Sequence, residues 1–268
     1  MYPRHSLHSL SFHLVIAALI WGVFSGCSLT AREEAAEKDK GEVGTHTSTD
    51  PTPNRNEERE AFTKTALLEG IAKNVVFPAY EFALTKSQGL QSSLEAYVNA
   101  RALGDAATEL AAAQEAWKAA SLAWQEAELY QFGPAGDVGG VATSMGAKGL
   151  RKQIYSWPLT NPCRVDQESL ENVFSTANYT MNELENVYGL DAIEYLLFNA
   201  ETLNACSAGH VLNNTEKDVY WAQLSDSDIR ERRASHALAL AKEVNRQIES
   251  LILAWKPDGE NYMGSFTT

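Results

Sequence analysis

The amino-acid sequence predicts an all-helical protein built as a bundle, and three observations support that prediction. From residue 58 onwards the chain is rich in alanine, its apolar residues recur every three or four positions, and no segment alternates apolar with polar residues as a half-buried strand does. Spacing of three and four places apolar side chains on one face of a helix. Helices of this kind bury that face against one another, so residues 58–268 are predicted to form one helical domain.

The first predicted helix covers residues 58–86 and contains a proline. Pro78 has no amide hydrogen to donate, and its ring crowds the preceding turn of a helix. We therefore expect this helix to be kinked near Asn74. A second helix is predicted over residues 90–103, because Gly104 provides a stop signal directly after it.

The third predicted helix, residues 106–131, carries two tryptophans and a carboxylate of interest. Trp117 and Trp124 are seven residues apart, which places both on one buried face of the helix. Glu128 lies near the C-terminal end, where the helix dipole disfavours negative charge. A structural role for Glu128 therefore requires a nearby cation.

The segment that follows is rich in glycine and proline. Residues 132–140 cannot continue a helix, and we expect a mobile loop of the kind that borders binding sites. The tail, residues 258–268, has no helical stripe of apolar residues. Between these segments, further helices are predicted over residues 166–177, 189–199, 216–224 and 228–255.

The charge of the chain excludes one class of partner. The sequence has 22 Lys and Arg residues against 35 Asp and Glu residues, a net charge of −13, and no basic run. Binding to the phosphate backbone of nucleic acid requires a basic surface, so nucleic acid is excluded as a partner. The acidic balance suits an envelope protein or one that attracts cations.

The first 26 residues are predicted to be a lipoprotein signal peptide. An apolar run ends at Phe24-Ser25-Gly26-Cys27, which resembles the bacterial lipobox that is cleaved before a lipid-modified cysteine. The run is too short to span a bilayer as a stable helix, although a short uncleaved anchor stays an alternative. Cys27 is the expected lipidation site, and Ser28 after it is typical of outer-membrane lipoproteins that face the periplasm.

Residues 27–57 are predicted to be a disordered tether between the lipid and the domain. This segment has no aromatic residue and is rich in Glu, Lys, Thr, Asp and Pro. Such a composition buries too little apolar surface to offset the entropy lost on ordering.

Two cysteines remain once Cys27 is assigned to the lipid. An even pair in an oxidising compartment predicts a disulfide between Cys163 and Cys206. A two-cysteine metal site or a catalytic thiol is the alternative, and His210 is the histidine near enough in sequence to assist it.

Two carboxylates in an apolar segment mark the main candidate site. Asp191 and Glu194 are three residues apart, which places them on one face of the predicted helix 189–199. A buried carboxylate is unfavourable unless it is paired, hydrogen-bonded or bound to a metal. The alternative is structural, with both acids reaching solvent or pairing with basic residues of neighbouring helices.

Three segments in order resemble the imelysin family of bacterial envelope proteins. Residues 189–197 match the family hallmark, a Gly-x-His-x-x-Glu motif, except that Asp191 replaces the histidine. Glu128 begins a segment similar to the family's Glu-x-x-x-Phe-Gly. Residues 155–159 are similar to its Trp-Pro-Leu motif. The resemblance covers residues 58–268.

The resemblance implies an all-helical fold of two bundle-like halves with an acidic and histidine site near their junction. It also implies a link to iron-dependent expression and metal uptake, or to metallopeptidase activity of the M75 type. This chain corresponds to the first half of that fold, which predicts an exposed apolar surface and a homo-oligomer. A metal-uptake partner is also expected.

The residues at the motif favour a hard cation over zinc. Zinc usually takes nitrogen or sulfur ligands, and the domain offers only His210 and His236, with no spacing that brings them together. Asp191, Glu194 and Glu128 offer oxygen ligands, which suit a cation such as iron, and no catalytic residue is assigned. We therefore expect a non-catalytic protein that binds a metal or an iron-uptake partner. An M75-type metallopeptidase and an envelope scaffold without a ligand are the alternatives.

Overall fold

A computed structural model describes residues 63–138, 146–156, 158, 160–176, 179 and 185–268 of the chain. These residues lie within one compact unit, Asn56–Thr268, and their regular structure is helical, with no strand among them. The predicted all-helical class is therefore confirmed. The predicted signal peptide, Cys27 and the predicted tether lie outside the described residues, as do Trp157 and Leu159 of the Trp-Pro-Leu motif.

The bundle is built on four helices, and the others pack around them. Helix α2 lies between α3 and α7, and α6 packs against both α3 and α7. Within the described part of the chain, no helix is both long and apolar enough to cross a membrane. The α-helices are α1 (Lys64–Ile71), α2 (Phe77–Leu103), α3 (Ala107–Ala127), α4 (Leu150–Ile154), α5 (Pro162–Glu171), α6 (Gly189–Phe198), α7 (Asp226–Trp255) and α8 (Tyr262–Thr267).

Near Asn74, where the sequence predicts a kink, the structure has a π-helical turn at Ala72–Val76 between α1 and α2. Pro78 follows this turn directly, as the second residue of α2. A proline inside a continuous helix removes one backbone hydrogen bond, and a π-helical turn is one of the irregularities that accompany such a loss. The predicted break between residues 86 and 90 is wrong, because α2 continues through Gly89. A glycine inside a helix costs about 1 kcal/mol, which the buried side chains of the same helix outweigh.

The core of the bundle contains the aromatic residues that the spacing predicted to be buried. Trp117 and Trp124 both lie in the core, on the inner face of α3. The long helix α7 contributes a full-length buried stripe, as its sequence predicted. The buried apolar residues of that stripe include Ile229, Ala237, Leu240, Val244, Ile248, Leu251 and Ile252.

Two other predicted boundaries differ from the structure. Helix α5 begins at Pro162, not at residue 166, because Asn161 accepts a hydrogen bond from the Arg164 amide and caps the helix. The helix predicted over residues 216–224 is only a 3-10 turn, Trp221–Gln223. There Trp221 is fixed by tertiary contact, since its indole N–H donates to the Thr202 carbonyl at 2.7 Å.

The C-terminal tail forms a helix that the sequence pattern did not predict. The ring centroids of Tyr262 and Phe266 in α8 lie 4.9 Å and 5.5 Å from that of Trp255. Gly133 adopts a φ of +58°, and a Cβ there would lie 2.3 Å from the ring of Tyr262. The tail therefore covers the end of the core, and long-range aromatic contacts rather than a local stripe hold it there.

Candidate functional site

The site begins with the glycine of the central motif. Gly189 starts α6 with a φ of +75°, and a Cβ at this position would lie 2.6 Å from the carbonyl oxygen of Ile154. Only glycine reaches this conformation without strain and allows so close an approach of two backbones. Gly189 thus lets the first turn of α6 lie directly against the end of α4.

Asp191 in that first turn is buried, with 2 % of its surface exposed. One carboxylate oxygen accepts the Ser156 amide at 3.2 Å, and the other accepts the hydroxyls of Ser156 and Thr160 at 2.6 Å and 2.7 Å. Three donors compensate the loss of hydration that burial imposes on a carboxylate. Asp191 therefore ties α6 to Ser156 and Thr160, and no ion pair within the described residues includes it.

Glu194 lies one turn further along α6 and is only partly buried. Burial raises the pKa of its carboxyl, and the negative charge of Asp191 raises it further. Tyr155, which leads into the segment bound by Asp191, is affected in the same way. Burial is the main cause that raises the pKa of Tyr155, and the charges of Glu194 and Asp191 add to it. The motif is therefore a region of concentrated negative charge.

Glu128, the third predicted ligand, is paired with a cation, Arg151. The sequence predicted such a partner because Glu128 lies near the C-terminal end of a helix. Its carboxylate accepts a hydrogen bond from Arg151 Nε at 2.8 Å, and both side chains are mostly buried. Arg151 belongs to α4, which leads directly into Tyr155 and Ser156. The segments of the family motifs are thus neighbours in the fold.

The carboxylates of Glu128, Asp191 and Glu194 nonetheless do not form one cluster. Among the described residues, one group brings three atoms of metal-binding side chains within 4.8 Å of one another, and its members are Cys163, Cys206 and His210. Asp191 is occupied by Ser156 and Thr160, and Glu128 by Arg151. The three-carboxylate metal site stays a prediction.

The predicted disulfide is confirmed. Cys163, at the start of α5, is bonded to Cys206, 43 residues further along the chain. Closing a loop of that length stabilises a fold by about 4 kcal/mol in the chain-entropy model. Helix α6 and both of its motif acids lie inside this covalent loop.

A buried ion pair beside the disulfide was not predicted from the sequence. Arg233 of α7 is 3 % exposed and donates to Asp166 Oδ1 at 3.0 Å. Asp166 also accepts the Tyr195 hydroxyl at 2.6 Å and the Ala205 amide at 2.9 Å. The charged stretch around Arg233 resembles an exposed helix face. Its spacing of four residues from the buried Ile229 and from the buried Ala237 indicates that Arg233 faces inward.

His236 is fully buried and unsuited to metal binding. Its Nδ1 lies 2.8 Å from Ser169 Oγ, and its ring stacks on Phe174 with centroids 5.0 Å apart. Burial lowers the pKa of His236 to about 3, so the ring is neutral at ordinary pH. Its Nε2 lies 3.5 Å from the Tyr179 hydroxyl. Both ring nitrogens therefore have protein partners.

The fold and the motif define an all-helical bundle whose central Gly-x-Asp-x-x-Glu helix is hydrogen-bonded to the segment that precedes α5. Comparison with known families gives a match, since the imelysin family model, also named Peptidase M75, matches residues 76–268. The chain therefore belongs to the imelysin family.

Two individual proteins show the extent of the similarity. Iron-regulated protein A of Synechococcus elongatus is 24 % identical over 197 residues, which cover 74 % of this chain and 42 % of that protein. An imelysin-like protein from Psychrobacter arcticum 273-4, of known crystal structure, is 17 % identical with a TM-score of 0.49, and the match covers 76 % of this chain and 54 % of that one. The chain thus spans about half the length of the relatives it matches.

Proposed function

We propose that this chain is a non-catalytic, lipid-anchored protein of the bacterial envelope that acts in iron handling. It binds a hard cation, or an iron-uptake partner that carries one, at the acidic motif of α6. Membership of the imelysin family and the name of its iron-regulated relative support the iron-related role. The disulfide supports an oxidising compartment such as the periplasm.

The observation that carries the cation proposal is the electrostatic state of Glu194. Its pKa is raised by burial and by Asp191, and the hydrogen-bond donors to Asp191 among the described residues are all neutral. A cation beside Glu194 would lower the pKa of this carboxyl again, because it stabilises the ionised carboxylate. Oxygen ligands suit hard cations such as Fe³⁺. Glu128 joins this set only if its contact with Arg151 opens.

The histidines favour binding over peptidase chemistry. A catalytic zinc site needs several nitrogen or sulfur ligands and an open position for water. His236 has protein partners at both nitrogens, and His210 lies beside two disulfide-bonded sulfurs. The position of the family's motif histidine carries Asp191. These residues support a protein that holds a metal rather than one that activates water with it.

Thermal unfolding of the full chain, with and without added Fe³⁺ or Ca²⁺, tests the proposal. A cation in hundredfold excess over its dissociation constant would stabilise the fold by about 2.7 kcal/mol. Glu194→Gln should lose this response, whereas Glu126→Gln, on the exposed face of α3, should keep it. A Glu194→Gln protein that responds as the wild type does would move the site elsewhere. Chelator-sensitive cleavage of unfolded peptides by the wild type would favour the peptidase alternative.

The anchoring proposal has its own test, because it depends on residues outside the described part of the chain. Cys27→Ser should shift the protein from the membrane fraction to the soluble periplasmic fraction. Persistent membrane association of that variant would contradict lipidation at Cys27.

Self-association is part of the same proposal. Leu122 of α3 and Leu129, in the 3-10 turn that follows α3, are 60 % and 78 % exposed, and apolar surface of this kind favours association. We expect a dimer by light scattering, and replacement of both leucines by glutamate should yield a monomer. A wild type that stays monomeric at high concentration would contradict this.

A further inference from the structure

A second set of ligand atoms lies around the disulfide, apart from the acidic motif. The sulfurs of Cys163 and Cys206 and one ring nitrogen of His210 lie within 4.8 Å of one another, and all three residues are partly exposed. Two cysteines and a histidine are soft and borderline ligands, in contrast to the carboxylates of α6. In the oxidised chain the sulfurs are bonded to each other, so neither is a thiolate that can bind a metal.

The two sides of the disulfide are also joined by bonds that do not involve sulfur. Asp166 lies one turn after Cys163 in α5, and it accepts the amide of Ala205, the residue before Cys206, at 2.9 Å. Arg233 donates to Asp166 at 3.0 Å and to the Glu201 carbonyl at 2.6 Å. This buried network fixes both cysteines' backbones, so reduction of the disulfide leaves the two sulfurs facing each other.

The loop that carries His210 is braced separately. The Asn204 side-chain amide donates to Asn213 Oδ1 at 2.8 Å, and that of Asn213 donates to the Ser207 carbonyl at 3.0 Å. Within the described residues, the His210 ring has one weak hydrogen bond, which Nδ1 accepts from the Leu212 amide at 3.3 Å. A metal can therefore take a ring nitrogen at the loss of, at most, one long hydrogen bond.

We propose that reduction of the Cys163–Cys206 disulfide opens a Zn²⁺ site formed by the two cysteines and His210. A dithiol reductant transfers two electrons and two protons to the disulfide, yields two thiols and becomes a disulfide itself. Zn²⁺ then displaces both thiol protons and binds two thiolates and one imidazole. A set of three protein ligands leaves a fourth tetrahedral position for water.

This site differs in chemistry and control from the cation site proposed at Glu194. The acidic motif offers oxygen ligands in either redox state, whereas the cysteine pair offers ligands only when reduced. The chain would thus bind a hard cation through α6 and, under reducing conditions alone, a zinc ion through α5 and the loop that carries His210.

The test uses the full chain carrying Cys27→Ser, which removes the third thiol. The protein is prepared oxidised or reduced with a phosphine, and Co²⁺ is added as a spectroscopic substitute for Zn²⁺. The reduced protein should show thiolate-to-cobalt charge-transfer absorption at one equivalent, which Zn²⁺ abolishes, and the oxidised protein should show none. His210→Asn keeps an acceptor for the Leu212 amide and should weaken Zn²⁺ binding at least about tenfold, since even outer-shell partners contribute that much.

Glu194→Gln serves as the matched control, because it removes the proposed cation site and should leave the cobalt spectrum unchanged. Circular dichroism of the reduced protein should retain the helical signal, since the Asp166 network does not depend on the disulfide. Absence of charge-transfer absorption in the reduced protein would overturn the proposal. So would unfolding on reduction, or an unchanged Zn²⁺ affinity in His210→Asn.

Discussion

Two aspartates, Asp166 and Asp191, are almost equally buried, yet their partners differ in charge. Asp166 is 0 % exposed and is neutralised by Arg233, with a tyrosine hydroxyl and a backbone amide completing its hydrogen bonds. Asp191 is 2 % exposed and is bound by two hydroxyls and one amide, all of them neutral. The first aspartate is part of an ion pair, whereas the second has no ion pair within the part of the chain that the structure describes.

This difference separates a structural site from a candidate binding site. Around Asp166 the nearby charge is cancelled, and the cluster joins α5, α6, α7 and the loop before Cys206. Around Asp191 the negative charge reaches Glu194 and Tyr155, and it contributes to the raised pKa of each. Residual charge of this kind attracts a cation, whereas a completed ion pair does not.

The largest expected effect follows from breaking the ion pair. Arg233→Met leaves Asp166 buried without a cation, which should lower the free energy of unfolding by about 3–5 kcal/mol in chemical denaturation. Arg246→Met is the matched control on the same helix, because its partly exposed pair with Glu243 contributes about 1 kcal/mol or less. Similar losses for the two variants would contradict the structural role of Arg233.

The second effect concerns the glycine that brings Asp191 to its donors. Gly189→Ala should lower the free energy of unfolding by about 2–3 kcal/mol, because it combines a positive φ with a clash at the Ile154 carbonyl. Gly89→Ala in α2 has open space around it and should instead stabilise by about 0.5–1 kcal/mol. A tolerated Gly189→Ala would show that α6 does not depend on this close approach.

A smaller loss is expected when one neutral donor to Asp191 is removed. Ser156→Ala deletes the hydroxyl that donates to Asp191 at 2.6 Å but keeps the hydrogen bond from the Ser156 backbone amide. It should lower the free energy of unfolding by about 1.5–2 kcal/mol at neutral pH. Ser92→Ala, whose hydroxyl bonds only within α2 on the surface, should be nearly neutral in the same denaturation experiment. If both serines behave alike, the hydroxyl of Ser156 is not what holds Asp191.

The smallest effect is a dependence on pH. The folded-state pKa of Glu194 is raised, so the folded protein binds this proton more tightly than the unfolded chain does. Stability should therefore fall as pH rises from the ordinary glutamate pKa, about 4.3, through the raised value. Glu194→Gln should remove this decline, and Asp191→Asn should lower the Glu194 pKa measured by NMR. An unchanged pKa in Asp191→Asn would separate the two carboxylates.

Much of the fold follows from periodicity in the sequence. The stripe of α7, the paired tryptophans of α3 and the span of α6 were predicted correctly, because each is a long, regular pattern that decides which face is buried. The disulfide followed from cysteine counting. The break near Gly89 and the helix at residues 216–224 were wrong, since local signals are weak against tertiary packing.

The site was predictable only in part. The motif identifies Asp191 and Glu194, and their electrostatic coupling follows from i, i+3 spacing. The donors Ser156 and Thr160 lie more than 30 positions before Asp191 and belong to no helix, so no periodic pattern points to them. Arg233 lies in a run of charged residues that reads as a solvated surface, and its burial depends on Asp166, which lies 67 positions earlier in the chain.

The disulfide also decides how the chain transmits mechanical load. Tension applied between the two ends passes directly from Cys163 to Cys206 once the surrounding structure yields, so the enclosed segment is never stretched. With the disulfide intact, forced unfolding therefore lengthens the chain by about 150 Å less than it would without it, since the 43-residue separation corresponds to roughly 3.5 Å per residue. Because α6 lies within that segment, its acidic motif is shielded from tension in the oxidised chain and exposed to it once the disulfide is reduced.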